Sequence, residues 1–171
     1  MRAARYLVSR PCSLTQLPVT QLLCLDSGPL GLLTHPQRSD EVIAITDWLA
    51  DCLRRGNRVI VPAIVYYEVK RELLRARKKF GLARLDAFVS ANPGRYLPLS
   101  DVALRLAAEL WAKCRQEGQP TADAKALDID VLIAAQILSS EARSSDVVIA
   151  TTNPKHLSKF VNARHWWEIP T

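Results

Sequence analysis

Short apolar runs alternate with amphipathic stretches along most of the chain, and this alternation restricts the fold more than any other feature of the sequence. The runs are Val19-Thr-Gln-Leu-Leu-Cys-Leu-Asp26, Arg58-Val-Ile-Val-Pro62, Arg95-Tyr-Leu-Pro-Leu99, Val147-Val-Ile-Ala-Thr-Thr152 and Trp166-Trp-Glu-Ile169. Each is too short for a helix, and most are rich in Val, Ile and Leu, as strands buried on both faces are. Helical stretches separate them. Residues 39–55 place Val42, Ile45, Leu49 and Leu53 on one stripe, with Ser39 as N-cap and Gly56 as the stop. Residues 63–79 begin after Pro62 and carry Val65, Val69, Leu73 and Ala76 as the buried stripe. Further helices are expected over 30–33, 82–91, 100–116, from Asp128 onward, and over 154–160. In the 100–116 helix the apolar side reads as Leu104, Ala107, Ala108 and Trp111, with Trp111 in the core. Strands alternating with helices argue for a three-layer α/β/α fold around a mainly parallel sheet of four or five strands.

Right-handed crossovers in such a sheet bring the carboxyl ends of the strands to one edge. That edge would hold Asp26, the start of the helix after Pro62, and Thr151-Thr152. Open α/β sheets gather ligands there. Asp26 also reads as a turn or cap residue. Glu68 borders the buried stripe of its helix rather than lying opposite it. Asp128 and Asp130 stand just before the apolar run Val131-Leu-Ile-Ala-Ala-Gln136, where an Asp is also a good helix cap. Carboxylates that converge raise one another's pKa, and Mg²⁺ or Mn²⁺, which prefer oxygen ligands, relieves the repulsion. Two such ions about 3.5–4 Å apart stabilise the attacking and leaving oxygens of a phosphodiester displacement. Asp146 falls at the other end of its strand, away from this edge.

Charge supports a polyanionic partner. The chain of 171 residues carries a formal net charge of +6. Its densest basic stretch, Lys70, Arg71, Arg75, Arg77, Lys78 and Lys79, begins within a turn of Glu68. A solvated helix face is the plain reading of such a run, and a nucleic-acid backbone passing Glu68 would meet it. Residues 1–19 contain Arg2, Arg5 and Arg10 and no acid, and read as an extension ahead of a single domain over 20–171. Cys12, Cys24, Cys52 and Cys114 form no C-x-x-C pair, which points to free thiols in a reducing, cytoplasmic setting. His35, His156 and His165 lack zinc-ligand spacing, and no apolar run is long enough to span a membrane. Fingerprints for dinucleotides, P-loop phosphates or a nucleophilic serine are absent.

Four segments in order resemble the PIN-domain ribonucleases, in particular the VapC-like toxins of toxin–antitoxin pairs. They are Leu-Leu-Cys-Leu-Asp26-Ser-Gly-Pro-Leu, Val-Tyr-Tyr-Glu68-Val-Lys-Arg-Glu-Leu, Asp130-Val-Leu-Ile-Ala-Ala, and Ala-Thr-Thr-Asn153-Pro-Lys-His-Leu-Ser-Lys-Phe. The resemblance runs from about residue 20 to 170. It implies an Mg²⁺- or Mn²⁺-dependent endoribonuclease with Asp26, Glu68 and Asp130 as metal ligands and catalytic acids. Thr151, Thr152 and Asn153 would line the site, and Lys70, Arg71 and Arg75 would meet RNA. It further implies a cognate antitoxin covering the acids and a homodimer. One departure stands out. His156 lies where the family often has Asp, and imidazole suits Mn²⁺ better than Mg²⁺. Asp128 either compensates as a further ligand or caps its helix. An RNA-binding protein without nuclease activity is the alternative that His156 favours.

Overall fold

The computed structural model describes residues 21–117, 124–140 and 146–171. The N-terminal extension, Cys12 and the loop over 118–123 lie outside these residues. In chain order the elements are β1 (Leu22–Leu25), α1 (Ser27–Leu33), α2 (Asp40–Arg54), β2 (Arg58–Pro62), α3 (Ala63–Arg75), α4 (Lys79–Ser90), β3 (Tyr96–Leu97), α5 (Asp101–Gln116), α6 (Ala124–Leu138), β4 (Val147–Thr151), α7 (Pro154–Leu157) and β5 (Ala163–His165), followed by a single 3₁₀ turn over Trp166–Glu168.

The sheet has five strands in the order β3-β2-β1-β4-β5, and every pairing is parallel. The chain thus winds outward from β1 through β2 to β3, returns to β4, and winds the other way to β5. Right-handed crossovers then place α1–α4 on one face and α5–α7 on the other. Within each face α1 packs on α2 and α3, α3 on α4, α5 on α6, and α6 on α7, while α3 also meets α6. This is the α/β/α sandwich the alternation requires. Its direction reverses between β1 and β4, so the crevice of the sheet opens at their carboxyl ends.

Burial explains the strands. Leu23, Cys24, Leu25, Val61, Ile149 and Ala150 are fully buried, as apolar runs covered on both faces should be. α2 is set by the Ser39 hydroxyl, which accepts from Val42 N at 3.3 Å. Its inner face is Val42, Ile45, Trp48, Leu49 and Cys52. Cys24, Cys52 and Cys114 are buried free thiols. Among the described residues, no helix is long and apolar enough to cross a membrane.

Several boundaries differ from the sequence expectation. The helix expected over 63–79 ends at Arg75; Arg77 adopts φ +54° and a new helix starts at Lys79. Ala76 is accordingly exposed. The buried face of α5 is Ala103, Ala107 and Cys114, whereas Leu104 and Trp111 are 47% and 37% exposed. α5 and α6 pack closely, through Ala103 and Ala107 against Val131 and Ala135. Small side chains let the two backbones approach, and the larger ones are displaced outward. Trp111 instead carries the Arg115 guanidinium over its ring, 5.1 Å from the centroid. The last strand is Ala163–His165 rather than 166–169, because Trp166 turns inward to meet Trp48.

Candidate active site

Asp26 follows β1 directly and caps α1. One of its oxygens accepts from Ser27 N at 2.7 Å. The other accepts from the Thr151 hydroxyl at 2.6 Å. Thr151 closes β4, the neighbouring strand, and is fully buried. Its hydroxyl oxygen in turn accepts from Asn153 N at 3.0 Å. Asp26 is therefore both the cap the local sequence suggests and the acid at the crevice between β1 and β4. Thr152, exposed at the same edge, lies against Gly28: a Cβ at Gly28 would stand 2.6 Å from the Thr152 hydroxyl oxygen.

Glu68 reaches the same place from the second turn of α3. It is half-buried, and burial pushes its carboxyl above the usual range. A hydrogen bond from the Ser27 side chain opposes this, the Asp26 charge adds to it, and Arg71, 3.8 Å away, opposes it. Asp130 comes from α6. Burial first, then the charges of Asp26 and Glu68, push its carboxyl up to about 6. The charges of Asp26 and Glu68 thus both bear on Asp130, and that of Asp26 on Glu68, although the three acids come from different parts of the chain.

Carboxylate oxygens facing one another at a half-buried edge are a donor set for a hard divalent cation. Among the described residues, however, no three His, Cys, Asp or Glu side chains stand close enough together to chelate one. The oxygens of Asp26 are held by Ser27 N and Thr151, and Glu68 lies beside Arg71.

Asp128 is not brought into this group. α6 begins at Ala124, so Asp128 is inside the helix and caps nothing. Two residues at 100° each set it about 200° around the axis from Asp130. It is exposed, and it contributes nothing to the shift of Asp130. His156 lies in α7, and its Nδ1 is buried with no hydrogen-bond partner among the described residues. It too is absent from the causes that shift Glu68 and Asp130.

Of the basic residues of α3, Arg71 and Arg75 are exposed and Lys70 is half-buried, and all three are locally paired. Lys70 donates to the Tyr66 hydroxyl at 2.5 Å and lies 3.4 Å from Asp86. Arg71 lies beside Glu68 and Glu72, and Arg75 beside Glu72. A cavity of about 690 Å³ runs between α1 and α3, bounded by Leu32, Val69 and Leu73 with Glu68, Glu72 and Arg75 along it.

Two contributors escaped the sequence reading. Gln136 is buried in α6, where its amide accepts from Ile64 N at 3.3 Å and donates to Leu97 O at 3.0 Å. It ties the first turn of α3 and the end of β3 to the helix of Asp130. A glutamine inside the apolar run of α6 was the available signal. Gly28 is the other, its signal being a glycine two residues after Asp26.

Comparison with known proteins settles the architecture. The chain matches the crystal structure of VapBC2 from Rickettsia felis bound to a DNA fragment from their promoter, with TM-score 0.59 and 18% identity over 85% of this chain and 98% of that one. FitAcB from Neisseria gonorrhoeae matches with TM-score 0.58 and 21% identity, over 86% and 99% of the two chains. VapBC-1 from nontypeable Haemophilus influenzae matches with TM-score 0.59 and 14% identity, over 86% and 99%. This chain shares their fold. No protein-family model matches it, and no curated protein matches it in sequence.

Proposed function

We propose that the chain is a PIN-type endoribonuclease that hydrolyses RNA phosphodiesters with Mg²⁺ or Mn²⁺ held by Asp26, Glu68 and Asp130. The observation that carries this reading is the convergence at the crevice between β1 and β4, where the charges of Asp26 and Glu68 both bear on Asp130. The four-segment resemblance and the shared fold support it. When bound, the cation supplies charge neutralisation at the phosphate and activation of water. The rest falls to the chain. Thr151 fixes the rotamer of Asp26 through its hydroxyl. Asn153 and Thr152 present polar groups at the same edge. Lys70, Arg71 and Arg75 supply positive charge along α3 for the RNA backbone. Asp128 has no part in this set.

The reading extends to a partner. A small antitoxin would seat a peptide in the groove between α1 and α3 and place an Arg or Lys among the acids. The homodimer implied by the family resemblance belongs to the same proposal. A second reading, an RNA-binding protein without nuclease activity, is favoured by His156 and by carboxylates that are not gathered to chelating distance.

Cleavage of a structured-RNA pool without metal, with Mg²⁺ and with Mn²⁺ decides between the two, with Asp130→Asn purified identically as control. Metal-dependent cutting lost in Asp130→Asn is the expected result. RNA binding with no cutting by either protein would establish the second reading.

A further inference from the structure

The carboxyl edge of the sheet continues past β4 to β5, where nothing in the proposed chemistry is placed. His165 ends β5 and pairs across the ladder with Thr151, the residue that holds Asp26. Its ring stacks on that of Trp167, with centroids 4.3 Å apart and planes 13° from parallel. Trp166, between them in sequence, is buried against Trp48 and meets Trp167 edge to face. The buried tryptophan thus anchors the pair to the core, while Trp167 remains 53% exposed. The Nδ1 of His165 is buried with no partner among the described residues, so its ring is held by stacking and packing.

We propose that the His165–Trp167 pair is a stacking platform for an unpaired base of the RNA. Three observations choose this occupant. An aromatic ring fixed by stacking on one side and open to solvent is what single-stranded nucleic acid uses, because every base offers a π-face. The segment that carries the pair is basic: after Asp146, the chain has Lys155, Lys159 and Arg164 against the lone acid Glu168. Position is the third. Strands are about 4.8 Å apart, so the end of β5 lies about 10 Å from that of β1, on the side away from α3. An RNA strand held by Lys70, Arg71 and Arg75 would cross the acids and reach Trp167 next. The inference rests on RNA being what the acids act on, and it adds a base-binding position to that site.

The test is binding of a labelled oligoadenylate dodecamer to the full chain without divalent metal, so that cutting does not enter. An abasic dodecamer of equal charge serves as the comparison. Trp167→Ala is expected to bind oligoadenylate about tenfold more weakly, with abasic binding unchanged and Trp167→Phe close to wild type. Melting temperatures verify that both variants are folded. Photo-crosslinking of a 4-thiouridine oligonucleotide to the wild-type chain gives a readout free of any variant, and the adduct is expected on Trp167. Equal binding by wild type and Trp167→Ala, equal weakening on the abasic chain, no binding by wild type, or crosslinks confined to other segments would each overturn the platform. Because binding is read without metal, failure of the nuclease reading shows separately, as no cutting by wild type or as cutting that survives in Asp130→Asn.

Discussion

Thr151 is where fold and proposed chemistry meet in one hydroxyl. It donates to Asp26 and accepts from Asn153 N, and it is fully buried. Thr151→Val keeps the shape and removes both bonds. The backbone N–H of Asn153 then lacks its acceptor, and the fold should lose about 1–3 kcal/mol, read from the denaturant midpoint. Cleavage should fall as well, because Asp26 loses the group that fixes its rotamer; unchanged stability and activity would remove Thr151 from this role. Asp130 makes a prediction of the opposite sign. Its carboxyl holds a proton up to about pH 6 in the fold, against 3.8 as its ordinary value. Between those values the folded state binds the extra proton, so stability falls as pH rises through the window, and the penalty is complete above it. Asp130→Asn removes the penalty. In chelator the variant should melt higher than wild type at about pH 7.5, and the gain should fade as the pH approaches 4. Water reaches part of the group, which screens the effect. A variant melting lower at every pH would contradict the assigned cause.

Elements show what a single sequence reveals and what it hides. α2 was legible because Ser39, the stripe of Val42, Ile45 and Leu49, and Gly56 all give one answer, although Leu53, expected on that stripe, is exposed near the end of the helix. The break after α3 was not, since Ala76, Arg77 and Lys78 are all good helix formers and no Gly or Pro marks it. The packed face of α5 was read only in part: Ala107 is buried as expected, but hydrophobicity ranks Leu104 and Trp111 above Ala103, whereas close helix approach rewards the small residue. Asp26, Glu68 and Asp130 were visible as acids beside apolar runs. The exclusion of Asp128 needed α6 to extend ahead of it, as the helix does from Ala124. Gln136 joins elements that the sequence keeps far apart. Gln136→Leu should cost about 1–3 kcal/mol by leaving Ile64 N without an acceptor, and should weaken activity through the relative placing of α3 and α6. Changing Lys70, Arg71 and Arg75 to Gln tests α3 differently. Three phosphate contacts at about 0.7 each contribute about 2 to the slope of log affinity against log salt for single strands, and that slope should flatten by up to this amount in the triple variant. An unchanged slope would mean that these residues serve only their local pairs.

At the scale of the whole molecule, the strand order concentrates negative charge in an otherwise basic protein. Acids from β1, α3 and α6 meet at the switch between β1 and β4, and the resulting repulsion is carried by the folded state alone. A ligand that relieves it must stabilise the fold. If Asp26, Glu68 and Asp130 hold a divalent cation, the unfolded chain, with its acids dispersed, will not. At a hundredfold excess over Kd the linkage is about 2.7 kcal/mol, which for a chain of this length corresponds to about 5–10 °C in melting temperature. Mn²⁺ or Mg²⁺ should therefore raise the melting temperature of wild type and leave Asp26→Asn and Asp130→Asn nearly unmoved. Protons compete for the same oxygens, so the rise should shrink as pH falls through about 6, where Asp130 takes up its proton. A rise that survives in both variants would place the cation elsewhere on the surface. No rise in wild type at millimolar metal would mean that the three carboxylates do not gather around an ion, and would move the balance to an RNA-binding protein built on a nuclease fold.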